Sequence, residues 1–261
     1  MSAYAGKKAV VTGGTHGMGL AIVEALLAKG MEVVLTGRNA RTLDEARTRL
    51  AERAAHIVAS DAASMTDIDD LGAVVEQQLG RIDALFVNHG TAEFQTLDEA
   101  TEESYDRQFA VNTKGAFFTV RRLAPLLADG GAIVFTTVAN DVVFPGLSAY
   151  SGSKEALRAI SQVLAAELLP RRIRVNAVAP GFIETPTMGV VGLTEQQRAD
   201  FLAQGERSTP LRRNGTVEEV AKAALFLAFD ATFTTGVELP VDGGWGQGLT
   251  VPSDNTTGAA A

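Results

Sequence analysis

The stretch from Lys8 to Gly30, KAVVTGGTHGMGLAIVEALLAKG, constrains the fold most strongly. A short apolar run meets Thr12 and a glycine-rich turn, and apolar residues then recur at helical spacing, which predicts a strand, a turn and a helix. Glycines let the backbone of such a turn bend sharply and let a pyrophosphate approach it. The helix N-terminus offers unpaired N–H groups and a partial positive charge to a phosphate. The stretch therefore favours a nucleotide-binding α/β unit, although a glycine-rich turn without a ligand has the same pattern.

The glycines of this turn are spaced as Gly13-x-x-x-Gly17-x-Gly19 and not as the G-x-G-x-x-G dinucleotide fingerprint. The turn resembles the cofactor loop of the short-chain dehydrogenases/reductases, single-domain enzymes that move hydride between a nicotinamide and a carbonyl or an alcohol. The resemblance implies a Rossmann-like α/β fold with a doubly wound parallel β-sheet flanked by helices on both faces. It also implies that the loop binds the cofactor through Gly13, Thr15, His16, Gly17 and Met18.

The composition narrows the function classes. The 261 residues are 46% hydrophobic, enough for a large core, and strand-like and helix-like segments alternate without a linker, so we expect one domain over residues 1–245. The net charge of −8 disfavours nucleic acid and anionic membranes as partners. The chain has no Cys and three scattered His, so neither thiolate chemistry nor a metal site is expected. Because we find no leader-like or membrane-spanning apolar run, we expect a cytoplasmic protein.

The end of the second predicted strand, Val33–Thr36, bears on the choice of cofactor. In dinucleotide folds an acidic residue there binds the adenosine ribose, whereas a small residue with a nearby Arg accommodates a 2′-phosphate. Here Gly37 and Arg38 follow the strand, and His16 stands where NADP-preferring relatives often have a basic residue. NADP(H) is therefore favoured over NAD(H), although Arg38 could also be a solvated charge.

Two further turns are implied to bind the cofactor. Asp61 follows a predicted strand at residues 56–59 and by the resemblance binds the adenine amino group, although a turn aspartate fits equally well. Asn88 and Gly90 resemble part of the family's Asn-Asn-Ala-Gly turn, with His89 in place of Ala. His89 could contact ribose or phosphate, or it could only fill space.

The candidate acid and base chemistry lies in Tyr150-Ser-Gly-Ser-Lys154. Residues four apart share one face of a helix, predicted here over 148–169, and an ammonium beside a phenol is expected to lower the pKa of the phenol towards neutrality. By the resemblance Tyr150 is the acid/base, and Lys154 also binds the nicotinamide ribose. Thr137, at the end of a predicted strand over 132–137, stands where the family usually has Ser and is expected to donate a hydrogen bond to the substrate oxygen.

Asn112 interrupts the apolar pattern of a predicted helical segment over 101–127. In the family this Asn sits in a slightly opened helix and holds a water linked to the catalytic lysine; a buried amide that only satisfies backbone groups is the alternative. After a sixth predicted strand over 174–178, a segment resembles the one that binds the nicotinamide carboxamide, through Pro180, Gly181, Ile183 and Thr185.

Apolar residues near these motifs indicate a substrate with an apolar part, although they could equally serve packing or subunit contacts. By the resemblance residues 186–212 form a mobile lid. The residues concerned are Phe94, Val138, Val142, Val143, Phe144, Met188, Val190, Val191, Leu193, Phe201 and Leu202, with Asn140 and Asp141 as possible polar anchors.

The motifs together favour an NADP(H)-dependent oxidoreductase that interconverts a ketone and a secondary alcohol. A 3-oxoacyl-[acyl-carrier-protein] reductase is the alternative enzyme, because GFIET and the closing strand resemble such enzymes, although LLADGG before strand five lacks basic residues for an acidic carrier. A nucleotide-binding regulatory protein without turnover is the alternative from another class. The resemblance also implies a homotetramer, and the tail over 246–261 is expected to be flexible or docked on a neighbouring subunit.

Overall fold

The computed structural model describes residues 4–140, 143–186, 190 and 194–250. Seven strands alternate with helices: β1 (Lys8–Thr12), β2 (Glu32–Gly37), β3 (Ala55–Ala59), β4 (Ile82–Val87), β5 (Leu127–Thr136), β6 (Arg174–Pro180) and β7 (Glu238–Val241). The helices are α1 (Gly17–Ala28), α2 (Ala40–Arg49), α3 (Met65–Gln78), α4 (Glu102–Phe109), α5 (Ala116–Leu123), α6 (Ser148–Glu167), α7 (Glu195–Ser208) and α8 (Val217–Leu225).

The strands form one parallel sheet in the order β3-β2-β1-β4-β5-β6-β7. The chain first builds outwards from β1 to β3 and then returns to the other side of β1, so the order reverses between β1 and β4. Ligands of open α/β sheets bind at the carboxyl ends of the strands beside such a reversal. Thr12 and Val87, the last residues of β1 and β4, pair directly, so the turns after them lie side by side.

Helices cover both faces of this sheet, as the resemblance implied. Alternate residues of β1 enter two separate cores, because successive side chains of a strand point to opposite faces. Val11 packs in a core with Ile22 and Leu26 of α1 and with residues of α8. Val10 packs in the other core with Leu71 of α3 and with residues of α5 and α6. The predicted doubly wound α/β fold is therefore confirmed.

The segment predicted as helical over 101–127 contains a widened turn. Between α4 and α5 the backbone forms a π-helical turn, Ala110–Gly115, with Asn112 inside it. A Cβ on Gly115 would lie 2.1 Å from the carbonyl oxygen of Ala62, so only glycine allows this close approach. The slightly opened helix that the resemblance implied around Asn112 is present.

Strand β5 differs from its predicted bounds at both ends. It begins at Leu127, which pairs with Ile82 across an irregularity in the ladder, and it ends at Thr136. Thr137 therefore lies one residue beyond the strand. Strand β7 occupies the edge of the sheet, where Pro240, which lacks an N–H donor, is tolerated. In the described part of the chain, no helix combines the length and the apolarity needed to cross a membrane.

Candidate active site

The turns at the carboxyl ends of the strands enclose a cleft of about 620 Å³. All the predicted site residues except Asn112 line this cleft: Gly13, Thr15, His16, Gly17, Met18, Arg38, Asp61, Asn88, Gly90, Thr137, Tyr150, Lys154, Pro180, Gly181, Ile183 and Thr185. Residues that are up to about 170 positions apart in the chain thus converge on one cavity.

The glycine-rich loop forms the floor at one end of the cleft. Gly17 has a φ of +54°, which L-residues with a side chain rarely adopt, and a Cβ on Gly19 would lie 2.1 Å from the carbonyl oxygen of Gly13. His16 occupies the N-cap of α1 but makes no side-chain capping bond. The first N–H groups of α1 are therefore left for an anionic ligand, as expected for a phosphate site.

Thr12 joins this loop to the neighbouring turn. Its Oγ1 accepts a hydrogen bond from the backbone N–H of Asn88 at 3.1 Å and lies 2.7 Å from Nδ1 of His89. Nε2 of His89 is buried and has no hydrogen-bond partner among the described residues. Burial, reinforced by the charge of Lys154, lowers the pKa of His89 to about 4, so the imidazole is neutral at pH 7. His89 therefore holds the turn to Thr12 as a neutral imidazole.

Gly37, the last residue of β2, lies against Thr15 at the end of the cleft where the resemblance places the adenosine. A Cβ on Gly37 would lie 2.5 Å from Cγ2 of Thr15, so Asp cannot replace Gly37 without displacing Thr15. Nη1 of Arg38 lies 3.4 Å from Oδ2 of Asp61, and the Arg38 side chain is 60% exposed. Oδ1 of Asp61 accepts a hydrogen bond from the backbone N–H of Ala63 at 2.9 Å. Asp61 therefore stabilises its own turn and also lines the cleft, which keeps both interpretations of this residue open.

Tyr150 and Lys154 lie one turn apart in α6 and both face the cleft. The ammonium of Lys154 donates a hydrogen bond to the carbonyl oxygen of Thr136 at 2.8 Å, and its Nζ is 6.0 Å from the centre of the Tyr150 ring. Burial raises the pKa of Tyr150 to about 12 and lowers the pKa of Lys154 to about 8. The lowered phenol pKa expected from the sequence is therefore wrong for this state, because the cost of burying a phenolate exceeds the attraction of an ammonium at this distance.

Asn112 lies behind the cleft and is fully buried. Its Oδ1 accepts from the N–H of Thr91 at 2.8 Å, and its Nδ2 donates to the carbonyl oxygen of Thr91 at 2.8 Å and to Oγ of Ser153 at 2.9 Å. Both amide donors are thus used within the protein. The side chain fastens the turn after β4 to α6, as the alternative of a satisfied buried amide predicts, and a water link to Lys154 stays a prediction.

The hydroxyl of Thr137 is hydrogen-bonded within the protein, to Glu238 and to the backbone of Val178. Its Oγ1 lies 2.6 Å from Oε1 of Glu238 and 3.0 Å from the carbonyl oxygen of Val178, and both of these oxygens only accept hydrogen bonds. In this arrangement the hydroxyl proton of Thr137 is used within the protein, so the predicted hydrogen bond to a substrate oxygen would require the hydroxyl to turn. The reason is that Thr137 lies just beyond β5, where its side chain reaches sideways to β6 and β7. The Thr136 hydroxyl donates to Oδ1 of Asn88 at 3.2 Å instead.

The segment after β6 lies at the opposite end of the cleft from Arg38. Pro180, Gly181 and Ile183 line the cleft, and the backbone of Ile183 is held by a β-bridge to Gly215. Oγ1 of Thr185 is buried without a hydrogen-bond partner in the described part of the chain. A buried hydroxyl without a partner is costly unless a ligand completes it, and the carboxamide of a nicotinamide has the required donor and acceptor.

Aromatic side chains form the wall of the cleft beside this segment. Phe144, Phe182, Phe201 and Trp245 line the cavity, and Phe94 packs behind Phe144 and Phe201 with ring centres 5.7 and 5.6 Å away. Sequence reasoning missed the contribution of Phe182 and Trp245, although an aromatic residue directly after a functional Pro-Gly turn was a usable signal for Phe182.

Other predicted pocket residues have different outcomes. Val138, Asn140 and Val190 line the cleft, whereas Val143 is 88% exposed and is not part of its lining. Leu202, in α7, is not part of the lining either. The other predicted residues of the pocket and lid lie outside the described residues: Asp141, Val142, Met188, Val191 and Leu193. Residues 251–261 of the predicted tail also lie outside them.

Comparisons with known proteins show the family to which the chain belongs. A family model described as Enoyl-(Acyl carrier protein) reductase matches residues 13–246. An uncharacterized oxidoreductase of Methylorubrum extorquens is 38% identical over 252 residues, 94% of this chain and 99% of the relative. The 2-(R)-hydroxypropyl-CoM dehydrogenase of Xanthobacter autotrophicus is 37% identical over 247 residues, 91% and 97% of the two chains. A solved short-chain dehydrogenase/reductase of Serratia marcescens has a TM-score of 0.83 at 29% identity, covering 93% of this chain and 99% of its own.

Proposed function

Because the chain belongs to the short-chain dehydrogenase/reductase family and is an oxidoreductase acting on CH–OH groups, we propose that it interconverts a ketone and a secondary alcohol with NADP(H). The observation that carries this proposal is the arrangement of Tyr150 and Lys154, which lie one helical turn apart and line the same cleft as the Thr185 hydroxyl, a group with no hydrogen-bond partner among the described residues. An acid/base, a cation and a free polar group for a nicotinamide thus meet in one apolar cavity.

The proposed chemistry divides between the cofactor and the protein. A bound nicotinamide supplies or accepts the hydride. In reduction Tyr150 gives its phenol proton to the carbonyl oxygen, and in oxidation its phenolate takes the proton of the alcohol. Lys154, whose pKa is about 8, is mostly protonated at pH 7 and stabilises the phenolate by its positive charge. The Asn112 bonds to Thr91 and Ser153 keep the turn and α6 in register around these groups.

The preference for NADP(H) is proposed from the adenosine end. Gly37 has no side chain, so this position offers no acidic partner to the ribose hydroxyls, and a Cβ there would lie 2.5 Å from Cγ2 of Thr15, which would have to move. Arg38 is exposed enough to turn from Asp61 towards a 2′-phosphate. His16, at the N-cap of α1, lies on the same rim.

The substrate is proposed to carry an apolar group. Aromatic side chains line the wall next to Tyr150, and burying apolar surface against them contributes roughly 25 cal/mol per Å². Asn140 lines the cleft and is a candidate polar anchor, but its Nδ2 already donates to the carbonyl oxygen of Ser151 and to Glu155. A largely apolar ketone fits this lining better than a charged one.

The test is a screen of ketones and alcohols with NADPH, NADH and their oxidised forms, followed by Tyr150→Phe on the best pair. The variant should lose about 10²- to 10⁴-fold in kcat, the usual contribution of an acid/base group, and should keep its cofactor affinity. Tyr105→Phe, at a tyrosine that is 48% exposed on α4, is the matched control and should keep full activity. A Tyr150→Phe enzyme of near-normal rate would refute the assignment.

Acyl-carrier-protein thioesters form the second candidate substrate class, because the matching family model is described as an Enoyl-(Acyl carrier protein) reductase. The same screen separates the two classes when 3-oxoacyl thioesters are included. Turnover of thioesters alone would select this alternative. Absence of turnover with every substrate, together with retained nucleotide binding, would select the regulatory protein.

The proposed assembly is a homotetramer, and the proposed compartment is the cytoplasm. A surface groove between α4 and α6, lined by Phe109, Phe117 and Ile160, leaves apolar side chains for a subunit contact. Light scattering should give a mass of about four chains of 27.4 kDa each. A monomer at all protein concentrations would contradict the proposed assembly.

A further inference from the structure

A chain of polar groups behind Thr137 connects the active site to the last strand. Glu238 is the first residue of β7, and its side chain is only 14% exposed. Its Oε1 lies 2.6 Å from Oγ1 of Thr137, and its Oε2 lies 3.1 Å from Nε of Arg158. Arg158 lies one helical turn after Lys154 in α6. Glu238 of β7 therefore links Thr137, at the end of β5, to the helix that carries Tyr150 and Lys154.

The proton of the Thr137 hydroxyl has two possible acceptors within the protein. The carbonyl oxygen of Val178 lies at 3.0 Å and already accepts the backbone N–H of Thr137 at 2.9 Å. Oε1 of Glu238 is closer, and a charged acceptor forms the stronger hydrogen bond. The hydroxyl proton therefore goes to Glu238, and any group in the cleft meets only the lone pairs of Thr137.

The sense of this hydrogen bond decides which substrate form Thr137 can bind. A ketone oxygen has no proton and cannot bond to a hydroxyl that only accepts, whereas an alcohol O–H or the Tyr150 phenol can donate to it. We propose that Glu238 is a positioning residue that fixes Thr137 as a hydrogen-bond acceptor and thereby favours binding of the alcohol over the ketone. This inference rests on the proposed function of the same site.

The variant Glu238→Gln tests the inference because it keeps the shape of the side chain and reverses the direction of its hydrogen bond with the Thr137 hydroxyl. Arg158 donates only, so the glutamine must turn its Oε1 to Arg158 and its Nε2 to Thr137. Nε2 is a donor, so the Thr137 hydroxyl must accept from it. Among the described residues this leaves the Val178 carbonyl as the acceptor for the hydroxyl proton, and because that carbonyl already accepts the Thr137 N–H, a ketone oxygen in the cleft can compete with it for the proton. Glu238→Ala is the second variant, which removes the acceptor without adding a donor.

The measurement uses the ketone and alcohol pair with the highest turnover in the screen, with acetophenone and 1-phenylethanol among the pairs tried. Calorimetric titration gives the dissociation constant of the ketone with oxidised cofactor and of the alcohol with reduced cofactor, complexes that cannot react. The ratio of the ketone constant to the alcohol constant should fall about three- to tenfold in both variants, the usual worth of one hydrogen bond.

Two controls separate positioning from general damage. In a Thr137→Val background the change from Glu238→Gln should disappear, because no hydroxyl remains to be oriented. Glu93→Gln, at a carboxylate that is 16% exposed and bound to Arg107 at 2.6 Å, should leave the ratio unchanged. An unchanged ratio in the folded Glu238 variants, or an equal change in the Thr137→Val background, overturns the inference. A wild-type chain that turns over no pair overturns the proposed function instead.

Discussion

The two ends of the cleft are built in different ways. At the end proposed for the adenosine and pyrophosphate the shape is set by backbone: a Cβ on Gly19 would lie 2.1 Å from the carbonyl oxygen of Gly13, and a Cβ on Gly13 would lie 2.8 Å from Cα of His89. At the substrate end the shape is set by side chains from distant segments, such as Phe144 and Trp245. A backbone contact admits one residue type, whereas a side-chain wall admits many of similar volume. The adenosine end is therefore specified residue by residue, and the substrate end only by its overall apolar character.

The hydrogen bonds of the polar side chains also differ between the two ends of the cleft. At the adenosine end Oγ1 of Thr12 accepts from the backbone N–H of Asn88 and Nδ2 of Asn88 donates to the carbonyl oxygen of Gly13, so the directions of these two bonds follow from the backbone of the adjacent turns. At the substrate end the direction of one hydroxyl, that of Thr137, depends on Glu238 in another strand. Whether the Thr137 hydroxyl can donate to a substrate therefore depends on the residue at position 238, about a hundred positions away in the sequence.

The largest effect should come from filling the backbone contact with Gly19→Ala. The new Cβ would lie 2.1 Å from the Gly13 carbonyl oxygen, so the loop must move and the first turn of α1 must lose its position under the phosphates. We expect cofactor affinity to fall at least about a hundredfold, measured by quenching of Trp245, the single tryptophan of the chain.

Gly152→Ala is the matched control for that substitution. Gly152 lies inside α6, and a Cβ there would meet its nearest neighbour, Phe109, at an ordinary 3.7 Å. Affinity should be unchanged, and the helix should gain slightly in stability. If Gly19→Ala binds cofactor as well as Gly152→Ala does, the adenosine end is not specified by its backbone contacts.

The second effect concerns the cofactor preference, through Arg38→Ala. Losing a charge-assisted hydrogen bond to a 2′-phosphate should weaken NADPH binding about ten- to a hundredfold and leave NADH binding unchanged. Arg47→Ala, at a half-exposed arginine of α2 paired with Asp44, is the control. Equal weakening of both cofactors would indicate that Arg38 does not read the phosphate.

The third effect is a pH dependence from the substrate end. Burial lowers the pKa of Lys154 to about 8, so its charge is present below that pH and is lost above it, while Tyr150, with a pKa of about 12, stays protonated. The kcat for reduction should fall about tenfold per pH unit above pH 8. Rates at saturating NADPH check this, and a kcat that is flat to pH 9.5 would contradict the role of Lys154.

The smallest effect should be on stability, at His89. Its folded pKa of about 4 lies below the usual 6.5, so its unfolded state binds more protons between these values and stability is lost as the pH falls from 6.5 to 4. The loss should be about 3 kcal/mol. His89→Ala should flatten this part of the pH dependence in urea unfolding experiments. An unchanged slope would show that folding does not lower the pKa of His89.

The sequence predicted those parts of the site that depend on neighbouring residues. The glycine spacing and the Tyr150 to Lys154 interval depend on local geometry, on turns and on helix periodicity, which neighbouring residues determine. The opened turn around Asn112 was implied by resemblance, and it is present. The lowered pKa of Tyr150 was predicted wrongly, because burial decides it. The hydrogen bond from Thr137 to a substrate oxygen stays a prediction, and no sequence signal pointed to Glu238, the partner of Thr137 on another strand.

By itself the sequence determined the alternation of strands and helices, the cofactor loop and the spacing of the acid/base pair, since these are encoded over a few consecutive residues. Only the tertiary structure decided which buried groups lack a partner, where Trp245 stands and what holds the Thr137 proton. The physical reason is that desolvation and hydrogen-bond competition depend on everything packed around a group, and those neighbours come from segments that meet only when the sheet assembles.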